Sequence, residues 1–151
     1  DTFNLREKTT GDDIDKVARK PLNSVKLDYP HGTGHGVGYF LNVHEGPQAI
    51  TKKNHVKLKE GMVLSNEPGY YLNKKFGIRI ENLISVRKNK SKLEFETLTL
   101  APIDKDLIDK KNLKQKEINW INNYHKKVFK KLRKFIDKSE MDAFRRLCSN
   151  L

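Results

Sequence analysis

Three of the five histidines, His31, His35 and His44, fall in one short stretch, with glycine at positions 32, 34, 36 and 38 among them. A lone histidine is usually a satisfied structural residue. Three beside glycines, whose missing side chain lets backbone approach a ligand closely, make a candidate site. His31 and His35 have the i, i+4 spacing of a helical zinc pair, but alternating glycine forbids a helix there, so they must act from loop and strand. Glu67 and Glu81 form the second candidate. A hairpin turning about Lys74 sets position 70 against 78 and, continued outward, Glu67 against Glu81, with Cβ atoms about 4.5–5.5 Å apart. Like charges so placed repel, and the pair then calls for a cation or a shared proton. The alternative is two glutamates splayed into water, with Pro68 disturbing the register. One imidazole with two carboxylates is a donor set for a borderline-to-hard divalent ion such as Mn²⁺.

The elements that hold these groups follow from the surrounding pattern. Thr10-Gly11-Asp12 reads as a capped helix start. Ile14, Val17, Ala18 and Leu22 then share a helical face, and Pro21 limits or kinks the helix end. Tyr29-Pro30 marks a break, and the glycines make His31 to Gly46 turn and extended chain. Met62-Val63-Leu64, Tyr70-Tyr71-Leu72 and the series Ile78, Ile80, Leu83, Ile84, Val86 read as strands about a short turn, and Phe95, Leu98 and Leu100 as another. Beyond Asp104, Ile118, Ile121, Val128, Leu132, Phe135 and Ile136 recur at helical spacing with lysines between them. Ala143, Phe144 and Leu147 make a last short helix. The expectation is an α+β class, with residues 1–104 one domain portion and 105–151 a helical, basic extension.

Composition narrows the function classes. The 151 residues are one domain's length, and 36% hydrophobic content supports a modest core. No apolar run is long enough to span a membrane. A single cysteine, Cys148, excludes an intrachain disulfide and a thiolate metal cluster. The net charge of +12 is uneven: residues 1–104 carry 17 Lys and Arg against 13 Asp and Glu, and residues 105–151 carry 14 against 6. The excess lies in pairs such as Lys110-Lys111, Lys126-Lys127 and Lys130-Lys131. Dispersed lysines on a helix read as a solvated face, whereas nucleic-acid binders more often interleave arginine with exposed aromatics, so no nucleic-acid partner is expected.

Set in order, the motifs resemble a known family. His31-Gly32-Thr33-Gly34-His35-Gly36-Val37-Gly38, then Phe40-Leu41-Asn42-Val43-His44-Glu45-Gly46-Pro47, resemble the X-Pro aminopeptidases (aminopeptidase P) of the eukaryotic cytosolic type. So do Asn66-Glu67-Pro68-Gly69-Tyr70-Tyr71 and Gly77-Ile78-Arg79-Ile80-Glu81-Asn82. The likeness runs upstream through Thr9-Thr10-Gly11, Ile14-Asp15, Ala18-Arg19 and Leu27-Asp28-Tyr29, and downstream through residues 97–103 and 120–125. It implies the pita-bread (creatinase/aminopeptidase) fold, incomplete here and followed by the basic extension. The implied reaction is hydrolysis of the bond between an N-terminal residue and a following proline, by a cytoplasmic homodimer holding two metal ions, most often manganese. By the same resemblance His35, Glu67 and Glu81 are metal ligands, and Glu67 also takes a proton from the attacking water. His31 and His44 then contact substrate and assist proton movement, and Arg79 orients carboxylates near the metals.

The chain also departs from the family pattern. The family's site adds two aspartates and a histidine well upstream of the first histidine motif. Asp12, Asp13 and Asp15 lie on the helix that already matches the segment before the histidine loop, so they are not those ligands. The chain opens on Asp1, and the expectation is the C-terminal part of such an enzyme's catalytic domain, inactive by itself. One alternative is a non-catalytic pita-bread binding module using its basic tail, which the retention of His35, Glu67 and Glu81 speaks against. Another is a prolidase-like dipeptidase, which cleavage of dipeptides against longer peptides would separate. The helical tail from Lys114 to Lys138 serves either dimerisation or packing on its own domain, with Trp120 and Phe129 as anchors.

Overall fold

The computed structural model describes residues 8–40 and 42–151. They form two compact units, one running to Thr99 and one spanning Leu100–Leu151. The backbone thus changes unit ahead of the composition shift after Asp104.

In the first unit, α1 (Gly11–Asn23) starts at a capping box. The Asp13 N–H donates to the Thr10 hydroxyl oxygen, and the Thr10 N–H donates back to the Asp13 carboxylate at 2.9 Å. Pro21 does not end the helix. It sits in the last turn, where its missing N–H removes one bond, and α1 runs on to Asn23. The buried face also differs from the apolar stripe: Val17 is 43% exposed, whereas Asp15 and Arg19 are buried.

Among the described residues, β1 (Gly34–His35) pairs antiparallel with β2 (Ala49–Ile50). β3 (Val63–Asn66), β6 (Asn82–Asn89) and β7 (Lys92–Thr97) form an antiparallel sheet in the order β3-β6-β7. β4 (Gly69–Leu72) and β5 (Phe76–Arg79) make a hairpin whose turn contains Lys74 at φ 58°. One register runs through both ladders, with Tyr70 opposite Ile78 in the hairpin and Asn66 opposite Asn82 in the sheet. Regular pairing lapses only where Glu67 and Pro68 face Ile80 and Glu81, because Pro68 has no N–H to donate. Leu98 and Leu100 do not extend the last strand. The Thr99 hydroxyl accepts the Leu83 N–H at 2.8 Å where a strand carbonyl would stand, β7 stops at Thr97, and Leu98 is 40% exposed.

The histidine loop lies along the outer edge of β3. The Val37 N–H donates to the Val63 carbonyl at 3.0 Å, and the Glu67 N–H donates to the Thr33 carbonyl at 2.7 Å. Gly34 permits this approach, since a Cβ there would run into the Ser65 carbonyl. Ile50, Leu58, Leu64, Ile84 and Val86 form the core beneath, with Ile14, Met62, Leu93 and Phe95 packed against it.

The second unit is helical. Tyr124 and Val128 of α2 (Gln115–Leu132) and Phe144 of α3 (Met141–Leu147) build its core with Cys148. Trp120 stacks on Tyr124 at 5.6 Å and Phe129 on Phe144 at 5.5 Å. The helical stripe was expected to include Phe135. Instead α2 ends at Leu132, Arg133–Phe135 wind as a tighter 3-10 turn, and Phe135 rotates outward to 72% exposure. No helix among the described residues is long and apolar enough to cross a membrane.

His125 is fully buried in this unit and accepts the Ile103 N–H on Nε2 at 3.0 Å. Its Nδ1–H donates to the Ser149 carbonyl at 3.4 Å, so the imidazole is neutral. Burial holds its pKa below the ordinary 6.5. The unfolded chain therefore binds a proton at a pH where the folded chain refuses it. The stability contribution is complete above about pH 6.5 and is lost as pH falls below that value toward the lowered folded pKa. Urea unfolding followed by Trp120 fluorescence should show a lower midpoint at about pH 5.5 than at about pH 7.5, and an equal midpoint would contradict this.

Candidate metal centre

Strand alternation puts Glu67 and Tyr71 on one face of the hairpin, together with Arg79 and Glu81 from the returning strand. Glu67 is 9% exposed and fully engaged: Oε1 accepts the Ser65 hydroxyl at 2.8 Å, and Oε2 accepts Arg79 Nη1 at 3.1 Å. The same Arg79 nitrogen lies 3.9 Å from Glu81 Oε2. Arg79 thus stands between the two carboxylates as the cation that their opposition calls for.

His35 arrives from the loop. Its backbone N–H donates to the Ser65 hydroxyl oxygen at 2.9 Å, and its Nε2 lies 3.3 Å from Glu67 Oε1. A carbonyl oxygen can only accept, so the 3.0 Å contact from His35 Nδ1 to the Gly36 carbonyl places the ring proton on Nδ1. In the neutral ring the Nε2 lone pair then faces a carboxylate oxygen, an arrangement that a proton or a metal cation would complete. The His44 ring sits 4.1 Å from the His35 ring.

His31 is held in the same way. Its Nδ1–H donates to the Gly32 carbonyl at 2.8 Å, so Nε2 accepts the Tyr71 hydroxyl at 2.7 Å. Tyr71 in turn accepts Arg79 Nε at 3.0 Å. A polar chain therefore runs from His31 through Tyr71 and Arg79 to Glu67.

The structure brings His35, Glu67, Arg79 and His44 together, with His31 linked through Tyr71 and Glu81 through Arg79. Among the described residues, no three His, Cys, Asp or Glu side chains converge tightly enough to hold an ion by themselves. Sequence reasoning missed Ser65 and Tyr71. Tyr71 was available from strand parity, since it shares a face with Glu67 and Arg79. Ser65 carried no such signal, because its hydroxyl matters only once the loop lies along β3.

Gly77 lies under the Tyr71 ring, and a Cβ there would stand 2.7 Å from ring carbon Cδ1. Gly77→Ala should therefore tilt Tyr71 away from His31, with loss of nuclear Overhauser contacts between the two rings in an otherwise unchanged β3-β6-β7 sheet. Retained contacts would show that the ring does not need the glycine.

Comparison with known proteins gives the family of the chain. The metallopeptidase family M24 pattern matches residues 3–88, and that of the C-terminal region of peptidase M24 matches residues 91–151. The chain belongs to metallopeptidase family M24. A probable Xaa-Pro aminopeptidase P of Laccaria bicolor is 44% identical to this M24 chain over all of it, and Xaa-Pro aminopeptidase 1 of Dictyostelium discoideum is 48% identical over 87%. The chain spans 26% and 22% of those two proteins, about a quarter of their length. The crystal structure of the X-prolyl aminopeptidase of Caenorhabditis elegans, a cytosolic enzyme with a di-nuclear active site, superposes on all of the M24 chain. The TM-score is 0.88 at 38% identity, and the match covers 26% of that structure. Prolidase from Pyrococcus furiosus covers 64% of the chain with a TM-score of 0.55 at 34% identity. The M24 chain thus carries part of the pita-bread fold.

Proposed function

We propose that this chain supplies part of the active centre of an X-Pro metalloaminopeptidase, which removes the N-terminal residue from peptides with proline in second place. The observation that supports this most is coverage. A structure described as an X-prolyl aminopeptidase matches the chain from end to end, second unit included, and the curated relatives that cover 87–100% of it at 44–48% identity are named Xaa-Pro aminopeptidases. The assembly in this reading is a cytoplasmic homodimer.

His35, Glu67 and Glu81 are the residues that would hold metal, manganese in this reading. The fit rests on His35 Nε2, whose lone pair faces Glu67 Oε1, and on the donor set of one imidazole and two carboxylates, which suits a borderline-to-hard divalent ion. When bound, a pair of such ions supplies a water acidic enough to be hydroxide near neutrality and polarises the scissile carbonyl. This chain's residues do the rest. Glu67 accepts the proton of the attacking water, its carboxylate fixed by Ser65 and Arg79. His44, beside His35, shares the charge that develops on the carbonyl oxygen. His31 meets the substrate with its ring held between Gly32 and Tyr71. Proline needs such a dedicated site because its nitrogen has no N–H to donate and its φ is fixed.

The test compares two tripeptides, one with proline and one with alanine in second place, on a protein carrying this chain within the length of its relatives. With Mn²⁺ the proline peptide alone should be cleaved, and the 151-residue chain by itself should cleave neither. Equal cleavage of the alanine peptide, or turnover by the isolated chain matching the longer protein, would overturn the reading.

A further inference from the structure

We propose that Arg19 is the positioning residue of the histidine loop: its buried guanidinium grips the backbone around His31 and fixes where that imidazole points. The proposal rests on the reading of His31 as a substrate-contacting residue, but its geometry stands apart from that reading. Arg19 is 3% exposed, on α1. Its Nε donates to Asp15 at 2.8 Å, and Nη1 donates to Asp28 at 2.6 Å and to the Tyr29 carbonyl at 2.9 Å. Nη2 donates to the carbonyl of His31 itself at 2.5 Å. The guanidinium also lies 4.0 Å over the Tyr29 ring.

The far side of the loop is tied to the same pair. The Thr33 hydroxyl donates to the second Asp15 oxygen at 2.6 Å, so the Tyr29 hydroxyl must donate to Thr33. Burial raises the Tyr29 pKa, which keeps that proton in place. Thr33 is also the residue whose carbonyl accepts the Glu67 N–H. One turn of α1 therefore holds residues 28–33 from both sides, and the rigid fork that reaches two carboxylates and two carbonyls is a shape lysine cannot reproduce.

Imidazole ¹⁵N spectra of the 151-residue chain provide the test, with no turnover required. Failure of the peptidase reading would leave this result standing, and the reverse also holds. In the unaltered chain His31 should show the fixed Nδ1–H tautomer that its bonds to Gly32 and Tyr71 impose. Arg19→Lys keeps a cation beside Asp15 but loses the fork. His31 should then lose the fixed tautomer to averaging, while His125 and the sheet amides keep their signals. A folded Arg19→Lys chain with the His31 pattern intact would overturn the proposal. If that variant does not fold, Asp15→Leu combined with Arg19→Met removes both buried charges, and the same two outcomes decide. If neither folds, Arg19 serves folding rather than position and the proposal also fails.

Discussion

Arg19→Met in the 151-residue chain should destabilise the first unit by about 3–5 kcal/mol, the usual cost of stranding one member of a buried ion pair. Asp15 is fully buried, and without Arg19 its carboxylate keeps only the Thr33 hydroxyl. The carbonyls of Tyr29 and His31 lose their donors in the same step. Such a loss is a large share of the about 5–15 kcal/mol that holds an ordinary domain together. Asp28 adds little to it. Arg19 and then Lys52 hold its carboxyl down at about 2, but its side chain is 39% exposed and solvent screens the pair. Urea titration of the sheet amides measures the effect, with Trp120 in the second unit as internal reference. A loss below about 1 kcal/mol would mean that the pair behaves like a surface salt bridge.

Glu67→Gln should lower kcat by about 10²–10⁴-fold in an active enzyme built on this chain, with the fold retained at a lower melting temperature. Glutamine keeps the side chain's shape but cannot accept a proton and binds a hard cation poorly. It also turns an amide N–H₂ toward either Ser65 or Arg79, both of which donate to the carboxylate. Activity within a few-fold of the parent at saturating Mn²⁺ would remove Glu67 from both of its proposed roles.

How much of this could be read in the residues depended on whether local rules or long-range contacts decided the outcome. The hairpin register was legible, because a turn at Lys74 fixes every pair outward to Glu67 and Glu81. The lapse at Pro68 was legible for the same reason; beside it Arg79 Nη1 lies 3.1 Å from Glu67 and 3.9 Å from Glu81, whose side chain is 45% exposed. The histidine loop could be read as extended chain from its glycines, but not its path. Nothing local says that residues 33–37 lie along β3, which is what brings His35 to Ser65. The face of α1 was misread in part for a related cause: Ile14 does pack against the core, but Val17 is exposed, while Asp15 and Arg19 are buried through partners that lie partly beyond the helix. The end of α2 was misread because Phe135 continues the helical stripe in sequence but follows a tighter turn in space.

Titration of the isotope-labelled 151-residue chain with Mn²⁺ most directly tests whether His35, Glu67 and Glu81 form one metal locus. The paramagnetic ion broadens nearby signals, so those of His35, Glu67 and Glu81 should fade first and together, and Glu67→Gln should abolish the effect. Broadening that begins at other acidic side chains, or that spares either His35 or Glu81, would contradict the assignment.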